Sequence, residues 1–468
     1  MTRRTKIIAT LGPATQTAEM IVTLVTAGVD VFRLNMSHAE HDWCREVARC
    51  VRAAAVESAR TVALLMDLKG PTIRTGVVEQ PLHLKPGDVV EFRLGDDAPR
   101  EAFSTTVNYP GLHADLKVGD TVLVDNGVLE MKALSLSPQR VVCSVLNEGV
   151  MGSRRHINLP GVKVNLPPLG AHDFRDLDLA AELGVDFVAM SFVRDASHLH
   201  LLRAEMEARR CRAQLVAKFE DQQALKHRHE IIEATDVVMV ARGDLGIEVP
   251  FEELPILQRR LVRECIHRGR RVIVATHMLE SMVQNPLPTR AEVSDVANAV
   301  LEQTDAIMLS GETSSGEHPL RAVQAMDRIA RRMEAEIEES AAARLPLEND
   351  KQRVVKSAVA LADSFDDAAL IVFTQRGIMA RYASQARPVK APIFAFCPDP
   401  LVVPTLTICR SVIPFQLAFA AGEAEATIAA ATDLLRQRRL LRTGQKLVIM
   451  SDVLHPSRSI DAILVREA

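Results

Sequence analysis

Charge of one sign is missing from this chain. Its 56 Lys and Arg against 60 Asp and Glu leave a net charge of −4 over 468 residues. It therefore lacks the basic footprint by which proteins hold nucleic acid, although a local basic pocket for a small anion stays open. Paired cysteines are missing too. The seven cysteines, at positions 44, 50, 143, 211, 265, 397 and 409, are odd in number, show no CxxC spacing and scatter over the whole length. They read as reduced thiols, which points to the cytoplasm rather than an oxidising compartment. Long apolar runs are absent as well: no window approaches the ~18 residues of a membrane helix. After the basic start MTRRTK comes only the short run 7–11, broken by Thr10, well below the apolar stretch of an export signal. Neither low-complexity tracts nor solenoid periods occur. Nucleic acid and membrane drop out as expected partners.

What is there is an ordinary globular composition, 47% apolar and 25% charged, and a length that corresponds to about three domains. Eight strand-length runs rich in Val, Ile, Ala or Met occupy residues 6–10, 29–35, 61–67, 187–192, 215–220, 237–241, 271–276 and 307–310. Nearly continuous hydrophobicity, instead of alternation, is what a parallel sheet covered on both faces requires. Helical stretches such as 18–27, 43–59, 174–183 and 254–268 fall between them. The fold class is thus α/β: eight β/α units predict a (β/α)8 TIM-type barrel over residues 1–71 and 166–345.

The rhythm breaks between residues 72 and 165. Turn signals take over there: Lys85-Pro86-Gly87-Asp88, Tyr109-Pro110-Gly111, Lys117-Val118-Gly119-Asp120 and Asp125-Asn126-Gly127, with alternating segments at 89–94 and 121–124. This predicts an all-β domain inserted after the third barrel strand, a lid if it sits at the barrel mouth. Beyond residue 345 a polar linker, 346–353, precedes a helix at 354–364, strands at 369–374, 392–397 and 446–450, and a helix at 379–386. That is a smaller α/β domain over 346–468, doubly wound in type.

Polar residues gather where the apolar runs stop, and in a barrel of this kind such ends converge on one mouth. Lys218 and Glu220 stand two apart, hence on one face of a strand. Three readings remain open for them: mutual neutralisation, a Schiff-base lysine, or Glu220 holding a metal while Lys218 faces charge that develops on substrate. In the stretch 240–246, VARGDLG, the backbone of Gly243 and Asp244 suits a phosphate or carboxylate, and Asp244 adds a hard oxygen ligand of the kind Mg2+ takes. Arg33 offers a rigid donor fork for phosphate. Asn35, Ser37 and Asp67 are oxygen donors near strand ends, suited to a monovalent cation or to local turn bonds. Arg74, Arg154 and Arg155 lie at the hinges of the insert, where they either meet nucleotide phosphates or are solvated.

The stretches TKIIATLGP (5–13), RLNMSH (33–38), DLKGPTIR (67–74), INLPGV (157–162), ARGDLGIEVP (241–250), ATHMLESM (275–282), PTRAEVSDVANA (288–299) and MLSGET (308–313) follow one another along the chain. Taken together, and in this order, they resemble the pyruvate kinase family. The C-terminal domain matches more loosely. The resemblance implies a homotetramer of barrel, β lid and effector-type domain. It also implies Mg2+-dependent transfer of a phosphoryl group from phosphoenolpyruvate to ADP, giving pyruvate and ATP as the last step of glycolysis. On the same ground Lys218, Arg33 and Thr276 are expected to be catalytic. Arg33, Lys218, Gly243, Asp244 and Thr276 are expected to bind substrate, and Glu220 and Asp244 to hold Mg2+. Arg74, Arg155 and His38 match nucleotide contacts, and Asn35, Ser37, Asp67 and the Leu68 carbonyl match a K+ site.

The chain also departs from the family pattern. Leu68 and Thr72 replace the threonine and glutamate of potassium-dependent members, so activity is expected not to require K+. Phe219 and Asp221 alter a lysine–isoleucine–glutamate–asparagine run, His277 replaces a glutamine, and Ser315 a frequent lysine. In the segment TQRGIMAR, 374–381, Arg376 and Met379 take two hydroxyl positions of members activated by fructose 1,6-bisphosphate, and the loop 451–459 lacks their glycines. Weak or no response to that bisphosphate is expected, with Thr374, Arg376, Arg381, Ser457 and Arg458 as a cationic pocket for another phosphorylated effector. A metal-assisted aldolase or lyase would account for Lys218, Glu220 and Asp244, but not for arginines at the hinges of a β insert. A catalytically silent relative would not keep Lys218, Glu220, Asp244 and Thr276 together.

Overall fold

Eight parallel strands close on themselves: β1 (Lys6–Thr10), β2 (Val31–Asn35), β3 (Ala63–Asp67), β4 (Phe187–Met190), β5 (Gln214–Phe219), β6 (Val237–Ala241), β7 (Arg271–Ala275) and β8 (Ala306–Leu309). The computed structural model describes residues 3–420, 423–451 and 462–468. β1 meets β8 with Lys6 opposite Ala306, and β4 lies directly against β3 with Phe187 opposite Leu65. The insertion between β3 and β4 therefore leaves the barrel unbroken. Ile8, Val31, Leu65, Phe187, Val216, Met239, Ile273 and Met308 fill the interior, while their neighbours Ile7, Phe32, Leu64 and Val188 pack outward. Both faces of each strand are thus buried, the physical origin of the unalternating runs. β2 starts later than its apolar run because Val29 belongs to the preceding helix end. Gly28 there takes φ 113°, and the Val29 N–H donates to Leu24 O at 3.0 Å, closing the helix Ala18–Ala27.

Within the insert, a six-stranded sheet runs in the order Ile157–Asn158, Thr121–Val124, Leu129–Ser137, Arg140–Val145, Val89–Arg93, Phe103–Thr106, and Leu82–Leu84 pairs with Gly149–Met151. Its core is formed by Phe92, Val122, Leu129, Met131 and Val141. One short helix, Leu112–Asp115, interrupts the strands. The two chain crossings between barrel and insert pair with each other: Thr75 N–H donates to Arg155 O at 2.9 Å and Ile157 N–H to Ile73 O at 2.8 Å. At their root the buried Asp173 carboxylate accepts from Gly70 N–H at 3.0 Å and from Gly170 N–H at 2.7 Å.

Beyond the barrel, β9 (Ala368–Phe373), β10 (Ile393–Cys397), β11 (Val412–Gln416), β12 (Lys446–Ser451) and β13 (Ala462–Glu467) form a sheet in the order β11-β10-β9-β12-β13. Only β13 is antiparallel. Leu370 and Val372 of β9 share a cluster with Val355, Val359 and Met379 from the helices Asp350–Asp363 and Ile378–Gln385. Ala369, Ile371 and Phe373 pack instead with Ile428 and Leu435 of the helix Ala424–Gln437. Helices cover both faces, as a doubly wound domain requires. The helix 350–363 starts inside the stretch read as linker, because Asn349 caps it through a bond from Gln352 N–H at 2.9 Å. This domain docks on the N-terminal ends of the barrel strands. Lys6 Nζ donates to Val412 O at 2.5 Å, and Arg387 grips Asp305 through bonds of 2.7 and 2.5 Å with both side chains buried. All seven cysteines are free. Among the described residues no helix is long and apolar enough to cross a membrane.

Candidate active site

The other end of the barrel, where the strands finish, carries the charge. On β2, inward-facing Arg33 sends Nε to Asp67 Oδ2 at 2.7 Å and Nη1 to Thr10 Oγ1 at 3.1 Å. On β5, Lys218 Nζ lies 2.8 Å from Glu220 Oε1, 3.2 Å from Asp67 Oδ1 and 2.8 Å from Ser191 Oγ. Ser191 Oγ in turn donates to Leu68 O at 2.8 Å. Asp67 therefore joins the two cations, one on each carboxylate oxygen. Arg33 is 9% exposed, Lys218 8%, Asp67 1% and Glu220 2%, so these charges act on one another with little screening by water.

The electrostatics follow from that crowding. Burial disfavours the ionised form of Asp67, but Lys218 and Arg33 outweigh it and hold the carboxyl below its ordinary range. Burial likewise opposes the Lys218 charge, and Asp67 and Glu220 outweigh it, so the ammonium holds its proton more tightly than usual. An ammonium bonded to two carboxylates suits an electrostatic role better than a Schiff base, which needs a lysine that gives up its proton. Glu220 behaves differently: burial pushes its carboxyl up to about 7, with the negative charge of Asp244 adding to the effect and Lys218 opposing it. A buried carboxylate and a half-buried one that repel each other are the donor set a divalent cation satisfies. Glu220 and Asp244 thus fit Mg2+. No group of three or more His, Cys, Asp or Glu placed to hold a metal occurs among the described residues, and Mg2+ characteristically takes one or two carboxylates plus substrate oxygens.

β6 runs straight into the helix Arg242–Glu248, which carries Gly243 and Asp244. Gly243 N–H donates to Thr276 Oγ1 at 2.6 Å, and that hydroxyl donates to Ala275 O at 2.7 Å. Thr276 and His277 take φ values of 66° and 53°, a left-handed turn unusual for any β-branched residue. Glu220 is oriented from its far side by Phe192 N–H at 2.7 Å.

The remaining expected residues divide. Arg74 and Arg155 lie together on the paired crossings: Arg74 Nη1 donates to Arg154 O at 3.1 Å, and Arg155 Nη1 to Asp125 Oδ1 at 3.3 Å. His38 is exposed on the loop after β2. Asn35 lies opposite Asp67 across β2 and β3, and its Oδ1 accepts from Ser37 N–H at 3.3 Å. Leu68 is buried. Of the expected effector residues, Thr374 is buried at the end of β9, Arg376 is exposed, and Arg381 turns its guanidinium to the carbonyls of Gly377 and Arg376. Ser457 and Arg458 lie outside the described residues. Three contacts escaped sequence reasoning: Ser191 between Lys218 and Leu68, Thr10 on Arg33, and Arg242 behind Thr276. Their strand-end positions were the available signal; their partners were not legible.

Fold and mouth define a class, the (β/α)8-barrel enzymes whose charged residues sit at the C-terminal ends of the strands. Comparison with known proteins narrows it. The pyruvate kinase barrel domain matches residues 2–323 and the pyruvate kinase alpha/beta domain residues 352–465. The chain is 36% identical over 467 residues to pyruvate kinase of Dictyostelium discoideum, covering 96% of this chain and 91% of that one. It is 41% identical over 408 residues to pyruvate kinase of Mycobacterium tuberculosis, covering 86% and 85%. Plastidial pyruvate kinase 2 of Arabidopsis thaliana is 37% identical, with 99% of this chain and 81% of that protein covered. The crystal structure of a pyruvate kinase from Cryptosporidium parvum matches with a TM-score of 0.92 at 32% identity, over 99% of this chain and 96% of that one. The chain belongs to the pyruvate kinase family and is a phosphotransferase.

Proposed function

We propose that the chain moves the phosphoryl group of phosphoenolpyruvate to ADP with Mg2+, giving pyruvate and ATP, as the last step of glycolysis in the cytoplasm. The observation that carries this reading is the buried Lys218 ammonium held between Glu220 and Asp67, with Arg33 on the far oxygen of the same aspartate. Glu220 and Asp244 hold Mg2+, which when bound neutralises charge on the phosphoryl group and on the departing enolate. Arg33 orients the phosphoryl group. Lys218 faces the charge that spreads over the transferring group and the enolate oxygen, so positioning and electrostatics do most of the catalysis.

The substrate carboxylate takes the N–H groups of Gly243 and Asp244 and the Thr276 hydroxyl in exchange for the bonds from Gly243 N–H to Thr276 Oγ1 and from Thr276 Oγ1 to Ala275 O, and Thr276 lies on the route by which a proton reaches the enolate carbon. Arg74, Arg155 and His38 contact the ADP phosphates. Closure of the insert over the mouth would exclude water, which otherwise competes for the phosphoryl group. Asn35, Ser37, Asp67 and the Leu68 carbonyl are the candidate K+ ligands. Leu68 and Thr72, which replace the threonine and glutamate of potassium-dependent members, support activity without K+. We further propose a homotetramer and an effector pocket on the C-terminal domain that takes a phosphorylated compound other than fructose 1,6-bisphosphate.

A coupled assay tests the reaction: phosphoenolpyruvate, ADP and Mg2+ should yield pyruvate and ATP in equal amounts. Absence of pyruvate, or pyruvate without ATP, overturns the reading. Substrate-saturation curves test control, and a strong left shift with fructose 1,6-bisphosphate alone would reject the effector proposal.

A further inference from the structure

Arg242 follows β6 directly, and its side chain runs behind the turn that carries Thr276. That side chain is 8% exposed, and each of its nitrogens has partners. Nε donates to Ala275 O at 3.3 Å; Nη1 donates to Gln258 Oε1 at 3.3 Å and Asp295 Oδ1 at 2.6 Å. Nη2 donates to Thr276 O at 2.7 Å and His277 O at 3.4 Å, and touches Met278 Sδ. One planar guanidinium therefore collects three successive carbonyls, those of residues 275, 276 and 277. These belong to the segment where Thr276 and His277 adopt left-handed backbone. Such a conformation at a β-branched residue persists only where the surroundings over-determine it. From the front, Gly243 N–H holds the Thr276 hydroxyl at 2.6 Å. Two consecutive residues at the end of β6 thus grip Thr276, one through its carbonyl and one through its hydroxyl.

We infer that Arg242 is a positioning residue: its guanidinium holds the left-handed turn at Thr276–His277 and thereby fixes the Thr276 hydroxyl in the barrel mouth. Asp295 and Gln258 aim the guanidinium. A lysine cannot replace it, because a compact ammonium lacks the rigid donor fork that spans three carbonyls. The inference rests on the reading of Thr276 as the group on the enolate's proton route, and it assigns Arg242 no contact with substrate.

The test follows that proton alone. Exchange of pyruvate methyl protons with D2O, recorded by NMR on the full chain with Mg2+ and ATP present, runs proton delivery in reverse without requiring net turnover. Thr276→Ala and Arg242→Gln are each expected to slow exchange about 10- to 100-fold, the scale of a displaced catalytic group. The double variant should be no slower than Thr276→Ala, because Arg242 acts through Thr276. Arg242→Lys should be slowed nearly as much as Arg242→Gln. Effects that multiply in the double variant, or wild-type exchange in Arg242→Lys, overturn the inference and leave the role of Thr276 intact. Wild-type exchange in Thr276→Ala overturns instead the reading of Thr276 itself. Should Arg242→Gln not fold, Asp295→Ala carries the same cycle, since it removes the nearer of the two Nη1 partners while keeping the guanidinium. A loss that Thr276→Ala masks supports the inference, and one that multiplies with it overturns it.

Discussion

Replacing Lys218 by Met removes a cation that three side chains share while keeping most of the side chain's bulk. Its ammonium lies 2.8 Å from Glu220, 3.2 Å from Asp67 and 2.8 Å from Ser191. Losing a preorganised charge that faces the transition state costs about 10²- to 10³-fold in kcat or more. The fold also loses. Stripping one partner from a buried ion pair costs about 3–5 kcal/mol when the other is left uncompensated. Here Asp67 keeps Arg33 at 2.7 Å and Glu220 keeps the Phe192 N–H at 2.7 Å, which brings the expected loss to about 2–3 kcal/mol, or ~4–6 °C in Tm for a melting unit the size of the barrel. The pH dependence has a definite sign. Burial, then Asp244, already pushes the Glu220 carboxyl up to about 7, with Lys218 opposing; without Lys218 it rises further. A carboxyl whose folded value is raised loses stability as pH climbs above its unfolded value, so the metal-free variant should lag wild type more at pH 8 than at pH 6. Initial rates and thermal unfolding at both pH values measure this. Near wild-type turnover, or a larger stability gap at pH 6, would refute the reasoning.

Glu220→Gln removes one of two carboxylates from the candidate Mg2+ set and should weaken Mg2+ at least tenfold in a calorimetric titration; unchanged affinity counts against the assignment. Activity should persist when Na+ or tetramethylammonium replaces K+, given Leu68 and Thr72; a rate that collapses without K+ and recovers on its return refutes this. At the opposite end of the barrel, burial disfavours Asp30's charge, but Arg3, Lys6 and Arg60 win and hold its carboxyl below the ordinary range. Its stabilisation is present above about pH 4 and is lost as pH falls through the folded value. Asp30→Asn should therefore be less stable than wild type at neutral pH and flatten the loss between pH 5 and 2, as chemical denaturation would show; an unchanged acid slope speaks against it.

The barrel was legible because its physics is written in composition: a strand buried on both faces has no polar face to display, and runs such as Val237–Ala241 say so. Where the sequence misled, local bonding had taken the residue. Val29 is apolar but serves a helix cap, so it does not extend β2. In the C-terminal domain β11 contains Pro414, which argues against a central strand, and β11 is an edge. β13 is partly exposed, and its apolar run is only four residues, Ala462–Val465, before Arg466 and Glu467. The helix Ala424–Gln437 is alanine-rich and turns only a few large residues inward. At the site, residue types and spacing pointed to Lys218, Glu220, Asp244 and Arg33, since charges at strand ends are costly unless used. The positive φ of Thr276 and the reach of Arg242 under three carbonyls depend on how β6 and β7 lie side by side, and no linear pattern records that.

Asp173 has a mechanical consequence. Both chain crossings into the β insert are fastened at their root to this one carboxylate, through Gly70 and Gly170, and the crossings pair with each other just above. Asp173 belongs to the barrel helix Ala171–Leu183, so both crossings leave the barrel beside one helix end, and the bonds between the crossings hold Arg74 and Arg155 on paired segments. Two side chains already placed side by side have less orientational freedom to lose when one anion is bound by both.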